Sequence, residues 1–443
     1  GMPKSYLSNE PAVMRAVSEK FNPYGQVRNR LRSLELNGHK TDKIELIVMG
    51  GTFSFLPKHY QKWFITECFM AANDYLNHIS PISKISLKSH LESKLFSEQK
   101  RNEKAKHRII GLTLETRPDY IDEKEIINFR NLGATRVELG VQSIFNPVLK
   151  ANRRGHGVEA TIRATKLLKD GGFKINYHIM PGLPESSLKK DLEMFKELFN
   201  NADFQPDMLK IYPTVVVKSS ALYGLWKKRK YKALTDKQFE KFILEIKKTF
   251  IPPHVRIARL VRDVPATSIV AGPKVSNIRQ LISHRSNCPC IRCREVGADY
   301  NIKEKIILDR FDYVASGGRE IFLQFVSKDK PARERRTRPG NKLFALLRLR
   351  IPNNYNREHF IPALRNAALI REVHTYGKLI GIRQKDKGSP QHVGLGKKLM
   401  LEAEKIAKKE FGFNKIVVIS GVGVREYYRK LGYKLTNTYM AKM

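Results

Sequence analysis

Cysteine is scarce in this chain: only four of 443 residues, and three of them, Cys288, Cys290 and Cys293, fall within six positions. So few thiols exclude a disulfide-stapled scaffold, and their clustering in a long chain argues for a metal instead. The sequence also lacks any apolar run approaching the ~18 residues of a spanning helix, and no signal peptide is visible. Both absences point away from membranes and predict a cytoplasmic protein. Acidic residues are short as well, 43 Asp and Glu against 82 Lys and Arg, which leaves a formal charge of +39. An excess of that size is the electrostatic footprint of a polyanion partner, nucleic acid first, with a generally basic proteome as the alternative. A 41% hydrophobic content over this length is enough for two or three cores.

What is present alternates. Apolar runs at Ile44–Met49, Ile109–Leu114, Val137–Val141, Ile175–Met180 and Met208–Tyr212 read as strands, and Glu123–Asn131, Gly157–Lys169 and Ser187–Phe199 between them read as helices. Strand, helix, strand in repetition predicts a parallel sheet with crossover helices, a partial TIM-like barrel whose chemistry lies in the turns after the strands. The Lys/Ser/Glu-rich stretch from Ser80 to His107 reads as an exposed helical insertion or a mobile loop without chemistry. Past Asp309 the pattern changes to strands such as Lys342–Ile351, a helix, then Lys415–Ser420. We expect divisions near 265 and 308: a barrel over 1–265, a metal-binding linker over 266–308 and a second α/β domain over 309–443. The arginine-rich run Arg333–Gly340 reads equally as a solvated loop or a phosphate contact.

Near the C-terminus, Gln391-His392-Val393-Gly394-Leu395-Gly396-Lys397-Lys398-Leu399 is a glycine-bearing turn opening a helix. Its free N–H groups and positive dipole end suit a pyrophosphate. Val424-Arg425-Glu426-Tyr427-Tyr428-Arg429-Lys430-Leu431-Gly432-Tyr433 follows, with adjacent tyrosines on a helix. Together these resemble the coenzyme A site of the GNAT acetyltransferases. The resemblance implies that Glu372, Val373, His374 and Thr375 line acetyl-CoA, that Leu395, Gly396 and Lys397 meet its pyrophosphate, and that Tyr428 lies near the sulfur, with Tyr427 structural.

Met49-Gly50-Gly51-Thr52-Phe53, Glu115-Thr116-Arg117-Pro118-Asp119, Glu138-Leu139-Gly140-Val141-Gln142-Ser143 and His178-Ile179-Met180-Pro181-Gly182 all follow barrel strands. With Glu10-Pro11-Ala12-Val13-Met14-Arg15-Ala16 they resemble the radical S-adenosylmethionine barrel of the Elongator catalytic subunit, and end to end the chain resembles the tRNA uridine-34 acetyltransferases, which join that barrel to a GNAT domain. The family reaction uses acetyl-CoA and a 5′-deoxyadenosyl radical to build 5-carboxymethyluridine at the wobble position, with the anticodon stem-loop as partner; a homodimer or other Elongator-type subunits are compatible with it. The resemblance carries Gly50, Gly51, Glu115, Arg117 and Gln142 over to S-adenosylmethionine and Lys43 to acetyl-CoA; barrel packing and turn geometry are the alternative for the first five. The family also carries a three-cysteine loop for a 4Fe-4S cluster. Here Cys68 is the only cysteine before residue 288, so we expect no cluster and no radical cleavage in this chain, which keeps acetyl-CoA and tRNA binding.

Cys288, Cys290 and Cys293, with His284 as the fourth ligand, suit a closed structural zinc site, an iron cluster and unligated thiols being the alternatives. Arg279, Arg285, Arg292 and Arg294 would then be displayed to RNA phosphate. Two other functions compete. One is a GNAT-type protein lysine acetyltransferase, disfavoured because a basic surface repels lysine-rich tails; the other is an RNA-binding scaffold with inactive folds.

Overall fold

The computed structural model describes residues 6–75, 91–283, 285–297, 304–328, 341–377 and 394–443. Strands β1 (Lys43–Val48), β2 (Arg108–Thr116), β3 (Arg136–Gln142), β4 (Lys174–Ile179), β5 (Met208–Ile211) and β7 (Arg256–Arg259) form one parallel sheet in that order. A short ribbon pairs β6 (Val216–Val217) with β8 (Ile269–Ala271). Strand residues alternate between two faces. Val137, Leu139, Ile175, Tyr177, Ile179, Leu209 and Ile211 are fully buried on the helix-covered side, and this is where the barrel core sits. The other set, Glu138, Asn176, His178 and Lys210, is polar and meets on the concave side.

The crossover helices start and stop where local chemistry directs. Glu123–Leu132 opens on Asp122, whose carboxylate accepts from the Glu125 N–H, and closes on Gly133 at φ +91. Leu188–Asn200 is capped by the Ser187 hydroxyl. The reading of Ser80–His107 needs correction in its second half. Helix Leu91–Asn102 lies along helix Lys58–Asn73, with Leu95, Gln99 and Asn102 buried and Asn102 donating to Asn73 at 2.8 Å. The polar composition misled because amides, not apolar groups, make much of this contact. Arg333–Gly340 and Gln391–Val393 lie outside the described residues.

The second sheet holds β9 (Ile306–Ala315), β10 (Gly318–Ser327), β11 (Leu343–Ile351), β12 (Ala368–Thr375), β13 (Ile416–Val418), β14 (Lys434–Thr436) and β15 (Tyr439–Lys442), ordered β14-β15-β13-β12-β11-β10-β9. Strands β9 to β12 form an antiparallel meander; β12 and β13 are parallel. Helix Leu395–Lys409 covers one face with Leu395, Leu399, Met400, Ala403 and Ile406. The whole is α/β, a half-barrel joined to a mixed sheet.

Two of the contacts that fasten the sheets together stand out. Gly421 and Gly423 lie flat on β2, where a Cβ on Gly421 would stand 1.9 Å from the Ile110 carbonyl oxygen. Buried charges form the other. Arg348 is opposite Glu372 and Leu349 opposite Ile370, so Arg371 is the extra residue of a bulge in β12. Bulges re-aim side chains. Arg371 thereby reaches Asp207, ahead of β5, at 2.5 Å and Glu320 at 2.9 Å, while Arg350 joins Glu320 (2.9 Å) to Asp170 (2.5 Å). The stretch past residue 265 returns to the barrel through β8, and Cys288 and Cys290 pack into the barrel core, so a boundary near 265 divides chemistry rather than packing.

Candidate active site

On the concave side of the barrel the polar residues form a continuous ladder. Glu138 is its centre: Asn176 Nδ2 donates to Oε1 at 3.2 Å, His178 Nε2 lies 2.8 Å from Oε2, and Lys210 pairs with that same oxygen. Burial would raise this carboxyl's pKa, but the His178 hydrogen bond and the Lys210 ammonium overcome it and hold the group below the usual carboxylate range. Toward the carboxyl ends of the strands, His178 Nδ1 stands 3.6 Å from Glu115, which accepts from the Tyr6 hydroxyl at 2.6 Å. Toward the amino ends, Arg136 approaches Glu45 at 3.4 Å and Lys174 meets Glu372 of the second sheet at 2.5 Å. Lys174, Asn176 and His178 alternate along β4 at about 7 Å per step, so one face runs from Glu372 to Glu115.

The sequence-predicted barrel residues fall around this ladder. Gly50 (φ +152) and Gly51 (φ +86) form the turn after β1, conformations that favour glycine. Glu115 belongs to the ladder itself. Arg117 pairs with Asp119 at 2.7 Å and donates to the Arg154 carbonyl at 2.8 Å. Gln142 is held at φ +66, and its Oε1 is buried without a hydrogen-bond partner among the described residues. Lys43 begins β1, half-buried, and burial lowers its pKa.

In the second sheet β12 parts from β13 after Ile370, which pairs with Val418; Glu372 to Thr375 pair only with β11, leaving one backbone edge free among the described residues. Helix Leu395–Lys409 begins beside this opening at Gly394 (φ +75), with no side-chain cap and no acid in its first turn. A Cβ on Gly396 would lie 3.6 Å from Thr375, 4.0 Å from Val373 and 3.3 Å from the Tyr427 hydroxyl. Strand, helix start and a phenol therefore converge. Lys397 and Lys398 stand at the positive end of the helix dipole, an arrangement that calls for an anion. Leu395 turns its side chain into the core and offers only its backbone. Glu372 is committed to Lys174 and, at 2.8 Å, Arg348; these charges outweigh burial and hold its carboxyl low. His374 stacks near Tyr376 at 4.3 Å, and burial lowers its pKa.

The two tyrosines differ in placement. Tyr428 is almost wholly buried against Tyr433, and burial raises its phenol's pKa; Tyr427 is 39% exposed with its hydroxyl at Gly396. Sequence reasoning missed this hydroxyl, and it missed the ladder through Glu138, His178 and Lys210. Two strands carried a partial signal, polar residues alternating along β3 (Arg136, Glu138) and β4 (Lys174, Asn176, His178), but not the register that joins them.

The Sγ atoms of Cys288, Cys290 and Cys293 lie within 4.8 Å of one another, close enough to share one ion; His284 lies outside the described residues. Of the arginines around them, Arg285 and Arg292 are exposed as expected, whereas Arg279 and Arg294 turn inward. Arg279 donates to the Ile257 carbonyl, Arg294 is buried on Pro289 and Gln324, and Arg285 and Arg292 pair with Glu240 and Glu295.

Residues 24–195 match the Radical SAM superfamily and 206–287 the Radical_SAM C-terminal domain. The chain is 47% identical over 454 residues to the tRNA uridine(34) acetyltransferase of Methanocaldococcus infernus, covering 100% of this chain and 79% of that one. It is 41% identical to the protein of that name from Dehalococcoides mccartyi (99% and 92%) and 38% identical to human Elongator complex protein 3 (99% and 77%). The chain belongs to the tRNA uridine(34) acetyltransferase family. Among solved structures, the archaeal Methanocaldococcus infernus Elp3 with N-terminus deletion (1-46) superposes with a TM-score of 0.83 at 47% identity over 96% of both chains. As members of the radical SAM superfamily, proteins of this family have S-adenosylmethionine and a 4Fe-4S cluster as cofactors. The residues present here do not fit the cluster: Cys68, the one thiol ahead of residue 288, is buried in helix Lys58–Asn73, where burial pushes its pKa up. No helix among the described residues is long and apolar enough to cross a membrane.

Proposed function

We propose that this chain binds acetyl-CoA and tRNA and serves the modification of uridine 34, the activity named for its relatives. The observation that carries the reading is the single polar face from Glu372, at the opening between β12 and β13, through Lys174, Asn176, Glu138 and His178 to Glu115. An intermediate formed at one end reaches the other without leaving the protein. The first-turn N–H groups of Leu395, Gly396 and Lys397 take the pyrophosphate, and the free edge of Glu372, Val373, His374 and Thr375 takes the pantetheine arm, with Lys43 at the start of β1 as a further candidate.

The tyrosine pair handles the thioester, Tyr427 at the turn and Tyr428 supporting it from the core. Water adds to the acyl carbon, the C–S bond breaks, and a phenol proton passes to the departing sulfur, to be restored from solvent. Gly50, Gly51, Glu115, Arg117 and Gln142 are the candidates for S-adenosylmethionine, supported by the buried, unpartnered Gln142 acceptor. Cys288, Cys290 and Cys293 would hold zinc, a closed site that shapes the chain and supplies no reactivity. The +39 charge supports the anticodon stem-loop as partner over a lysine-rich protein tail.

Free thiol released from acetyl-CoA, with and without tRNA, tests this reading. Release stimulated by tRNA supports it. Release indifferent to tRNA, with a lysine peptide acetylated instead, overturns it.

A further inference from the structure

A second concavity lies apart from the ladder. Between helix Ala221–Lys227 and helix Asp236–Thr249 lies an open cleft of about 800 Å³, lined by Trp226, Tyr231, Leu234 and the β8 residues Val270 and Ala271. That volume suits a ligand of nucleotide size and above. Its floor is tied to the carboxyl end of β4. Tyr231 donates to the Gly182 carbonyl at 2.7 Å, and Leu234 packs on Gly182, four residues beyond His178. The cavity therefore opens on the same rim of the barrel as Glu115 and Tyr6.

Its chemistry is aromatic and cationic. The Trp226 indole is half-buried and held flat by Tyr223, stacked at 5.9 Å and 26°. Lys227, Arg229, Lys232 and Lys274 stand exposed around it, and none pairs with a carboxylate among the described residues. Asp236, the one acid of the lining, spends an oxygen on the N–H groups of Lys274 and Val275 at 2.7 and 3.0 Å. A fixed π-face ringed by free cations is the constellation that binds an unpaired nucleotide, base on the ring and phosphates on the charges. A duplex keeps its bases stacked inside and cannot use it.

We propose that this cavity captures one unpaired base of an RNA loop on Trp226, with Lys227, Arg229, Lys232 and Lys274 on the flanking phosphates. Held there, the loop lays a neighbouring nucleotide over the ladder. This rests on the RNA reading above and names where the loop is gripped.

The chain has two tryptophans, so Trp63→Phe leaves Trp226 as the sole indole reporter. A hairpin with an unpaired loop should quench that emission, and a fully paired duplex of equal charge should not. Trp226→Ala should weaken hairpin binding about 5- to 150-fold, the range of one lost base stack. Trp226→Phe should recover most of it, and unfolding temperatures should match wild type. Removing Lys227 and Arg229 should instead flatten the salt dependence. Hairpin binding that ignores both Trp226 variants overturns the cavity and leaves the proposed function intact. No RNA binding by the wild type overturns both. Quenching by adenosine monophosphate with none by the hairpin assigns the cavity to a free nucleotide and overturns the RNA proposal.

Discussion

Lys174 of β4 and Glu372 of β12 meet at 2.5 Å, and this contact joins the barrel's polar face to the opening in the second sheet. Both side chains are mostly buried, at 17% and 11% exposure, so stranding one charge is costly, on the order of 3 kcal/mol. Lys174→Met should lower the unfolding temperature and weaken acetyl-CoA binding together, and adding Glu372→Gln should return part of both. Calorimetry on the four proteins of this cycle measures it. Strictly additive losses would remove the coupling.

Gly421 presses on β2 with no room for a methyl group, its nearest neighbour being backbone. Gly421→Ala must push the second sheet off the barrel, at a cost of about 1–3 kcal/mol or more. Hydrogen exchange should rise along Arg108–Thr116, whereas Gly394→Ala, with open space around its Cβ, should leave exchange there unchanged.

Tyr427→Phe removes the hydroxyl at Gly396 and should slow tRNA-stimulated thiol release by about 100-fold at unchanged acetyl-CoA affinity. Tyr428→Phe should act less on rate and more on thermal stability, because its ring lies in the core. Steady-state kinetics on both variants decides which phenol serves the sulfur, and the reverse ranking would return that role to Tyr428.

The Glu138 carboxyl is held low by His178 and Lys210 against its burial. A depressed folded-state value means the unfolded chain binds the proton more readily, so the stabilisation is complete above the ordinary glutamate range and is lost as pH falls below about 4.5. Acid unfolding curves should show this loss in wild type. In Glu138→Gln the dependence below that pH should be shallower and the protein less stable at neutral pH.

Zinc removal gives a structural readout. Chelation, or Cys288→Ser, should abolish a content of about one zinc per chain and loosen the barrel core that Cys288 and Cys290 share. Metal analysis by mass spectrometry that finds iron, or no metal at all, would discard the zinc assignment.

The barrel strands were legible because apolar runs such as Ile109–Leu114 have nowhere to go but a buried sheet, and their spacing left room for helices. The glycine turn opening helix Leu395–Lys409 was legible because Gly394 and Gly396 meet a local demand, a left-handed cap and a close approach. The ladder was not, since Glu138, His178 and Lys210 become neighbours only when strands far apart in sequence align in register. The resemblance assigns the sulfur to Tyr428 and a structural role to Tyr427, without any local signal for which hydroxyl faces Gly396. Their helix, Arg425–Arg429, is barely one turn long, and Gly421 against β2 sets its rotation rather than its own periodicity. Arg371 hid for another reason: a bulge breaks the alternation by which facing is read.

That bulge also limits how such a chain can be rebuilt. A foreign acyltransferase sheet grafted onto this barrel would leave Asp207 buried without the guanidinium that Arg371 supplies at 2.5 Å. The barrel transplanted alone would keep only the Lys169 ammonium, at 3.7 Å, and the Ile175 N–H against that carboxylate. The two halves are therefore not interchangeable cassettes, and recombination between relatives should succeed only where the strand carrying Arg371 and the turn carrying Asp207 travel together.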